Sequence, residues 1–330
     1  MSRLLPWGLV LAFAACGLHA TVSPDGGSGI DSGTATATDA GLPQGTTIFT
    51  ITVGPLPVSA GSQAVYCTNI HLGNATAIDV IGYNSTQTQG GHHLILLANK
   101  TDQADSPPVA CNQSAAVDPK NGSMIYISQL AQDSQRFPDQ VGMSLPVNAS
   151  LMVQVHYLDA TNMDLQVSTT IEVLSAAKGS VSIPAAPLLY YAAQFTVPPG
   201  TSTVTAACAM QNPQPYSYFM LAGHMHSHGT DLRVDFTPAG GASSRIYETA
   251  SWDSPQEKQF VPPLSVASGS QMNWACDFTN TTSVSVSEPN EMCAILGNYY
   301  PAAQGSLTCF ALAGSSLCQC GFGGLPDGGL

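Results

Sequence analysis

Charge is scarce in this chain: only 9% of its 330 residues are Asp, Glu, Lys or Arg, and Lys and Arg together number 8. No basic stripe can be assembled to neutralise phosphates, so nucleic acid is excluded as a partner. The net charge of −13 reflects the shortage of cations rather than dense acid. Amphipathic periods of helical spacing are also missing, and no apolar run is long enough for a membrane-spanning helix. With 31 Gly, 23 Pro and abundant Ser and Thr, the composition favours short strands joined by turns. An all-β architecture is expected, and the length allows one large or two ordinary domains.

The first 20 residues carry one arginine, an apolar stretch from Leu4 to Ala15 and small residues after it, the pattern of an export signal. "LAFAAC" resembles a bacterial lipobox ending at Cys16, the expected lipidation site and a possible membrane tether; "LHA" at 18–20 offers a rival cleavage site. Residues 21–45 have almost no large apolar side chains and read as a flexible linker. Nine cysteines occur, and setting Cys16 aside leaves eight, an even number suited to disulfides in an oxidising compartment.

From residue 46 to about 177, runs such as "TIFTITV", "AIDVIGY", "HLILLA" and "SLMVQVHYL" have the period and composition of strands. A second series follows a break rich in Gly, Ser and Pro around 178–188. Two consecutive antiparallel β-sandwich domains, 46–180 and 181–312, are the economical reading, with 313–330 as a loose Gly-rich tail.

Six of the eight histidines fall in three places: His92 with His93, His156, and His224, His226 and His228 in "GHMHSHG". On a strand, alternate residues share a face, so His224 and His226 can present two imidazoles to one ion. His92 and His93 can do so only if a bulge, a twist or the strand's beginning turns both rings inward, and Gly90 and Gly91 supply that freedom. A polar stripe on a solvated face, or a single structural histidine in each strand, is the bland alternative. Imidazole suits Zn, Cu, Fe and Ni alike, whereas an added thioether favours Cu(I); chemistry alone nominates none of the ten methionines, and the place of Met292 beside Cys293 in "NEMC" is only a hint.

Taken in order, "GGHHLILL", "MVQVHYLDA", "FTVPPGTSTVTAAC", "GHMHSHG" and "EMCAILGNYYP" resemble the copper type II ascorbate-dependent monooxygenases, the family of peptidylglycine α-hydroxylating monooxygenase and dopamine β-hydroxylase. The resemblance implies two jelly-roll-like β-sandwich domains, each holding one of two copper ions, facing each other across a solvent-filled cleft. It implies that His92, His93 and His156 bind an electron-transfer copper, and that His224, His226 and Met292 form the catalytic copper centre, with Gln154 beside the first ion. It implies a copper-dependent monooxygenase using O2 and ascorbate or another one-electron reductant. It further implies disulfides Cys67–Cys111, Cys208–Cys309 and Cys276–Cys293; for the two cysteines left in the tail, Cys318 and Cys320, the family offers no pairing, and a local pair is open to them.

The chain departs from the peptidylglycine enzymes where they hold a substrate carboxylate: Ala222, Ala294 and Leu296 stand in place of the family's Arg, Asn and Tyr. A carboxylate there would be desolvated without compensation, so a small, fairly apolar substrate is expected instead. Two other readings remain open: an exported copper-binding lipoprotein without turnover, and an extracellular binding module whose histidines are incidental.

Overall fold

The computed structural model describes residues 19–25, 43, 45–112, 115, 120–211, 214–288 and 290–323. Cys16 and most of the expected signal and linker lie outside the described residues. The chain is all-β, with no helix among the described residues. The first series of strands is β1 (Ala20–Asp25), β2 (Thr47–Val58), β3 (Gln63–His71), β4 (Ile78–Gln87), β5 (Gly91–Asn99), β6 (Val109–Ala110), β7 (Gly122–Ser128), β8 (Gln132–Arg136), β9 (Val141–Leu145), β10 (Ser150–Leu158), β11 (Leu165–Ala177) and β12 (Ile183–Pro184). The second is β13 (Ala186–Ala193), β14 (Thr196–Val197), β15 (Gly200–Ala209), β16 (Tyr216–Met225), β17 (Gly229–Thr237), β18 (Ser244–Thr249), β19 (Lys258–Val266), β20 (Gln271–Asn280), β21 (Val286–Ser287), β22 (Cys293–Tyr300), β23 (Ser306–Leu312) and β24 (Cys318–Gly323).

Each series forms one sandwich. In the first module a sheet in the order β1-β2-β11-β4-β9-β12, with β8 added to β4, packs on a sheet in the order β6-β3-β10-β5-β7. Alternate residues of β2, Phe49, Ile51 and Val53, point into the core between them, where they meet Leu94, Leu96, Val153 and Val155. In the second module β19-β16-β22-β13-β23-β24 packs on β15-β20-β17-β18 around Tyr190, Tyr218, Trp274 and Phe278.

The strands that carry the candidate ligands are covered on both faces. Every residue of β5 after Gly91 is buried, as are all but the terminal residues of β10. The reason is that the β3–β10–β5–β7 face turned away from the first core meets β22: Ile95, Leu97, Ile127 and Met152 cluster with Leu296. Fully burying one such side chain contributes about 1.5–3 kcal/mol, so this seam holds the modules together. The family resemblance implies a solvent-filled cleft between domains; beside this apolar contact the modules also enclose a cavity of about 470 Å³.

Both chain ends differ from expectation. The linker expected over 21–45 begins with β1, which pairs antiparallel with β2 and packs Ala20 and Val22 against the first core. The tail expected to be loose contributes β24 as an edge strand on β23. The cysteines explain the second difference. Cys67–Cys111 and Cys276–Cys293 form, but Cys208 pairs with Cys318 and Cys309 with Cys320, rather than Cys208 with Cys309 and Cys318 with Cys320. Cys309 and Cys320 lie directly opposite in the β23–β24 register, with Cα atoms 4.0 Å apart, while Cys208 approaches from the facing sheet. Residues two apart on a strand point the same way, so Cys318 and Cys320 lie on one side of β24, toward Cys208 and Cys309.

Candidate metal centre

His92, His93 and His156 converge. In the β10–β5 register His156 pairs with His93 and Tyr157 with Gly91, so His92 is the extra residue of a bulge. That bulge turns two consecutive rings to one side. Gly90 makes it possible: its φ is +87°, and a Cβ there would stand 2.9 Å from the Leu158 carbonyl oxygen. The three ring centroids lie 4.9–5.1 Å apart, and each histidine offers a nitrogen within 4.8 Å of the others.

Their surroundings select neutral rings with an available lone pair. Burial lowers the His92 pKa to about 4, with a hydrogen bond to the Asp253 backbone partly opposing it, and the His156 pKa to about 3. Burial also holds His93 well below its usual range. With His156 Nε2–H donating to Gln63 Oε1 at 3.1 Å, its Nδ1 carries the lone pair. The Nδ1 atoms of His92 and His93 are buried without a hydrogen-bond partner, a costly arrangement for a polar atom unless an ion takes the lone pair.

The second group is built on β16 and the segment leading into β22. His224 is the penultimate residue of β16, and His226 lies just past its end in the turn closed by Gly229 N–H donating to the His226 carbonyl. The two are therefore not on one regular strand, yet their Nε2 atoms stand 3.2 Å apart with perpendicular rings. Hydrogen bonds set both tautomers. His224 Nδ1–H donates to Gln129 Oε1 at 2.7 Å, and Gln129 is oriented in turn by donating through Nε2 to the Gly223 carbonyl at 2.9 Å. His226 Nδ1–H donates to the Asn290 carbonyl at 3.1 Å. Two Nε2 lone pairs then face each other with no proton between them, which is repulsive until a cation sits there. Nitrogens bound at about 2.0–2.1 Å to a tetrahedral ion lie roughly 3.3 Å apart, so the spacing fits a shared metal. Burial also keeps His224 well below its ordinary pKa.

Met292 reaches the same place through strand pairing. His224 pairs with Ala294 and Met225 with Cys293, so continuing the register sets Met292 across from His226. The fully buried Glu291 ties the two segments: its carboxylate accepts from the backbone N–H of His226 (2.6 Å), His228 (3.1 Å) and Met292 (3.0 Å), and from His228 Nδ1 (3.2 Å). His228 therefore braces the turn through Glu291. The Cys276–Cys293 disulfide anchors the residue next to Met292.

The two groups adjoin. The rings of His93 and His224 are 6.0 Å apart between centroids, and a cavity of about 470 Å³ is lined by His93, His224, His226 and Met292 together. Its remaining wall is mainly apolar, including Ile95, Leu189, Ala294 and Leu296, with the polar Asn112 and Asn290 at its margin. Ala294 and Leu296, two of the positions where a carboxylate anchor is missing, thus face this space, whereas Ala222 is packed in the first core. Gln154 is fully buried, but its amide donates to the Asn112 carbonyl (3.1 Å) and lies beside the Cys67–Cys111 sulfurs, not against the histidines.

Sequence reasoning missed Gln129, Gln63, Glu291 and Trp252, whose ring lies 5.3 Å from that of His92. Only Glu291, inside "NEMC", had a visible signal.

No protein-family model matches the chain, and no curated protein matches it. The structure is distantly similar to one described as a triple jelly roll fold and turret assembly in an archaeal virus (10% identity, 78% of this chain and 55% of that chain, TM-score 0.21). It is likewise similar to a chain of Sulfolobus turreted icosahedral virus (12%, 78% and 56%, TM-score 0.22) and to the PBSX exported protein XepA (7%, 76% and 86%, TM-score 0.19). The chain spans about half the length of the two viral chains.

Proposed function

We propose that this protein is a copper-dependent monooxygenase that hydroxylates a C–H bond of a small, apolar substrate, with O2 and a one-electron reductant such as ascorbate. The observation that carries the reading is the pair of hydrogen-bond-directed Nε2 lone pairs of His224 and His226, 3.2 Å apart, on the wall of a cavity shared with Met292 and with the first histidine group. His92, His93 and His156 would hold one copper through neutral imidazoles, a donor set that tolerates both Cu(II) and Cu(I). His224, His226 and Met292 would hold the other, the thioether favouring Cu(I). Bound copper would supply one-electron redox chemistry and activation of O2.

The chain's own residues do the rest. Gln129 and the Asn290 carbonyl hold the two imidazoles in the metal-binding tautomer, Glu291 holds the Met292 segment against the His226 turn, and the aliphatic wall takes an apolar substrate and excludes water. Among the described residues the cavity lining offers no Lys or Arg for a carboxylate, which disfavours acidic substrates. The four disulfides indicate an oxidising, extracellular type of environment, and a lipid on Cys16 would tether the protein to a membrane.

The test is O2 uptake by the copper-loaded protein with ascorbate and a panel of small apolar compounds. Stoichiometric hydroxylated product that disappears in Met292→Ile supports the reading. Tight retention of copper with no product from any compound favours the second reading, a copper-binding protein used for sequestration or delivery.

A further inference from the structure

Away from the histidines, a second polar cavity of about 760 Å³ opens at the junction of the two modules. Asp133, on β8 of the first module, and Glu257, just before β19 of the second, both line it. Between them lies Gln135, 3% exposed, whose Nε2 stands 2.9 Å from both Glu257 carboxylate oxygens, 3.1 Å from the Ile127 carbonyl and 3.4 Å from Asp133 Oδ2. Four oxygens from two modules thus converge on one point. Gln135 Nε2 has two hydrogens for these four oxygens, and Oε1, the other end of the same amide, is buried without a hydrogen-bond partner.

The charges nearby do not balance. Glu172 also lines the cavity and accepts from Asn84 Nδ2 at 2.6 Å, and the Tyr126 hydroxyl donates to Asp133 at 2.8 Å. Arg136, which also lines the cavity, directs Nη1 to the Tyr83 and Gln135 carbonyls at 3.2 and 2.9 Å and feels the charges of Glu172 and Asp133, and Lys258 lies over the Phe260 ring, so one guanidinium faces three carboxylates. Burial and the neighbouring Asp133 push Glu257 up to about 8, and burial raises Asp133 as well. Two like charges so placed need a proton or a cation to coexist.

We propose that Asp133, Glu257, the Ile127 carbonyl and Gln135 Oε1, with the amide turned, form a calcium-type divalent cation site that clamps the two modules together. All four ligands are hard oxygens, two of them carboxylates, and they come from flexible side chains and a carbonyl, the donor set that suits Ca²⁺ rather than a transition metal. With only two charged ligands and water completing the shell, the affinity belongs in the weak, extracellular range of about 10⁻⁴–10⁻³ M. The clamp has a second consequence. Glu257 ends the loop that carries Trp252 and Asp253 onto His92, so the cation would steady the cover of the first histidine group. That last link rests on the metal-centre reading; cation binding does not.

The experiment uses copper-free full-length protein. Tb³⁺ luminescence sensitised by Tyr126, displaced by Ca²⁺, counts the site, and thermal unfolding with and without Ca²⁺ reads its effect. The expected result is one site per chain and a rise in Tm of about 2–4 °C at Ca²⁺ tenfold above Kd. Glu257→Gln and Asp133→Asn should each weaken Ca²⁺ binding at least tenfold and remove the Tm rise. No Ca²⁺ binding by the wild type at 10-fold beyond about 10⁻³ M, or binding unchanged in both variants, overturns the proposal. Because copper is absent throughout, either result leaves the monooxygenase reading to its own test.

Discussion

Glu291→Gln isolates the device that brings Met292 to the histidines. The wild-type carboxylate is fully buried and accepts four N–H groups, from the backbones of His226, His228 and Met292 and from the His228 ring. Glutamine keeps one acceptor oxygen and turns an NH2 toward the remaining donors, so about two charge-assisted bonds are lost and replaced by donor–donor contact. At about 1.5–3 kcal/mol each, the loss is roughly 3–6 kcal/mol, a large part of the stability of an ordinary domain. Urea unfolding of the metal-free protein measures this. The same variant should weaken copper at the His224–His226–Met292 group at least tenfold in a Cu(I) competition titration, while the His92–His93–His156 group keeps its ion, because Glu291 touches none of those rings. A stability change below about 0.5 kcal/mol, the range of ordinary surface substitutions, with copper affinity unaltered, would refute the bracing role.

Three further outcomes are expected. The metal-free protein should lose stability as pH falls: His92 and His156 titrate near 4 and 3 when folded and near 6.5 when unfolded, so the unfolded chain binds more protons below 6.5, at a cost of about 2 kcal/mol per histidine by pH 5. Urea unfolding at pH 7, 6 and 5 checks it, and His156→Phe should shallow the slope by about one proton; an identical slope contradicts the assignment. Leu296→Trp, placed in the wall of the 470 Å³ cavity, should abolish turnover yet leave two coppers bound, as read by metal analysis alongside product formation. Non-reducing peptide mapping should recover Cys208–Cys318 and Cys309–Cys320; a Cys208–Cys309 peptide would displace β24 from its place.

The strands and the histidine groups were legible because both depend on local pattern. Alternation over "LMVQVHYL" marks β10, and two glycines before two histidines leave room for a bulge, a twist or a strand entrance, of which the structure displays the bulge, opposite His156 and Tyr157. Other parts of the site depend on the approach of distant segments. Gln129 orients a histidine 95 residues away, and Gln63 one 93 residues away; a glutamine in a β-rich sequence carries no mark of either role. The closeness of the two histidine groups follows from the apolar seam of Ile95, Leu97 and Leu296, side chains that read as ordinary core residues. The pairing of Cys208 with Cys318 rests on β24 docking at a sheet edge, where a Gly-rich segment has too few large side chains to announce a strand.

The central claim is that six side chains make two adjoining copper sites, one of imidazoles alone and one with a thioether. Copper counting on the purified, ascorbate-reduced protein tests it most directly, in the wild type and in His93→Ala and His224→Ala. Two coppers per chain, falling to one in each variant with sulfur ligation surviving in X-ray absorption only when His224 is intact, is the predicted result. A wild-type protein that holds no stoichiometric copper, or holds it with no sulfur ligand, would contradict the account.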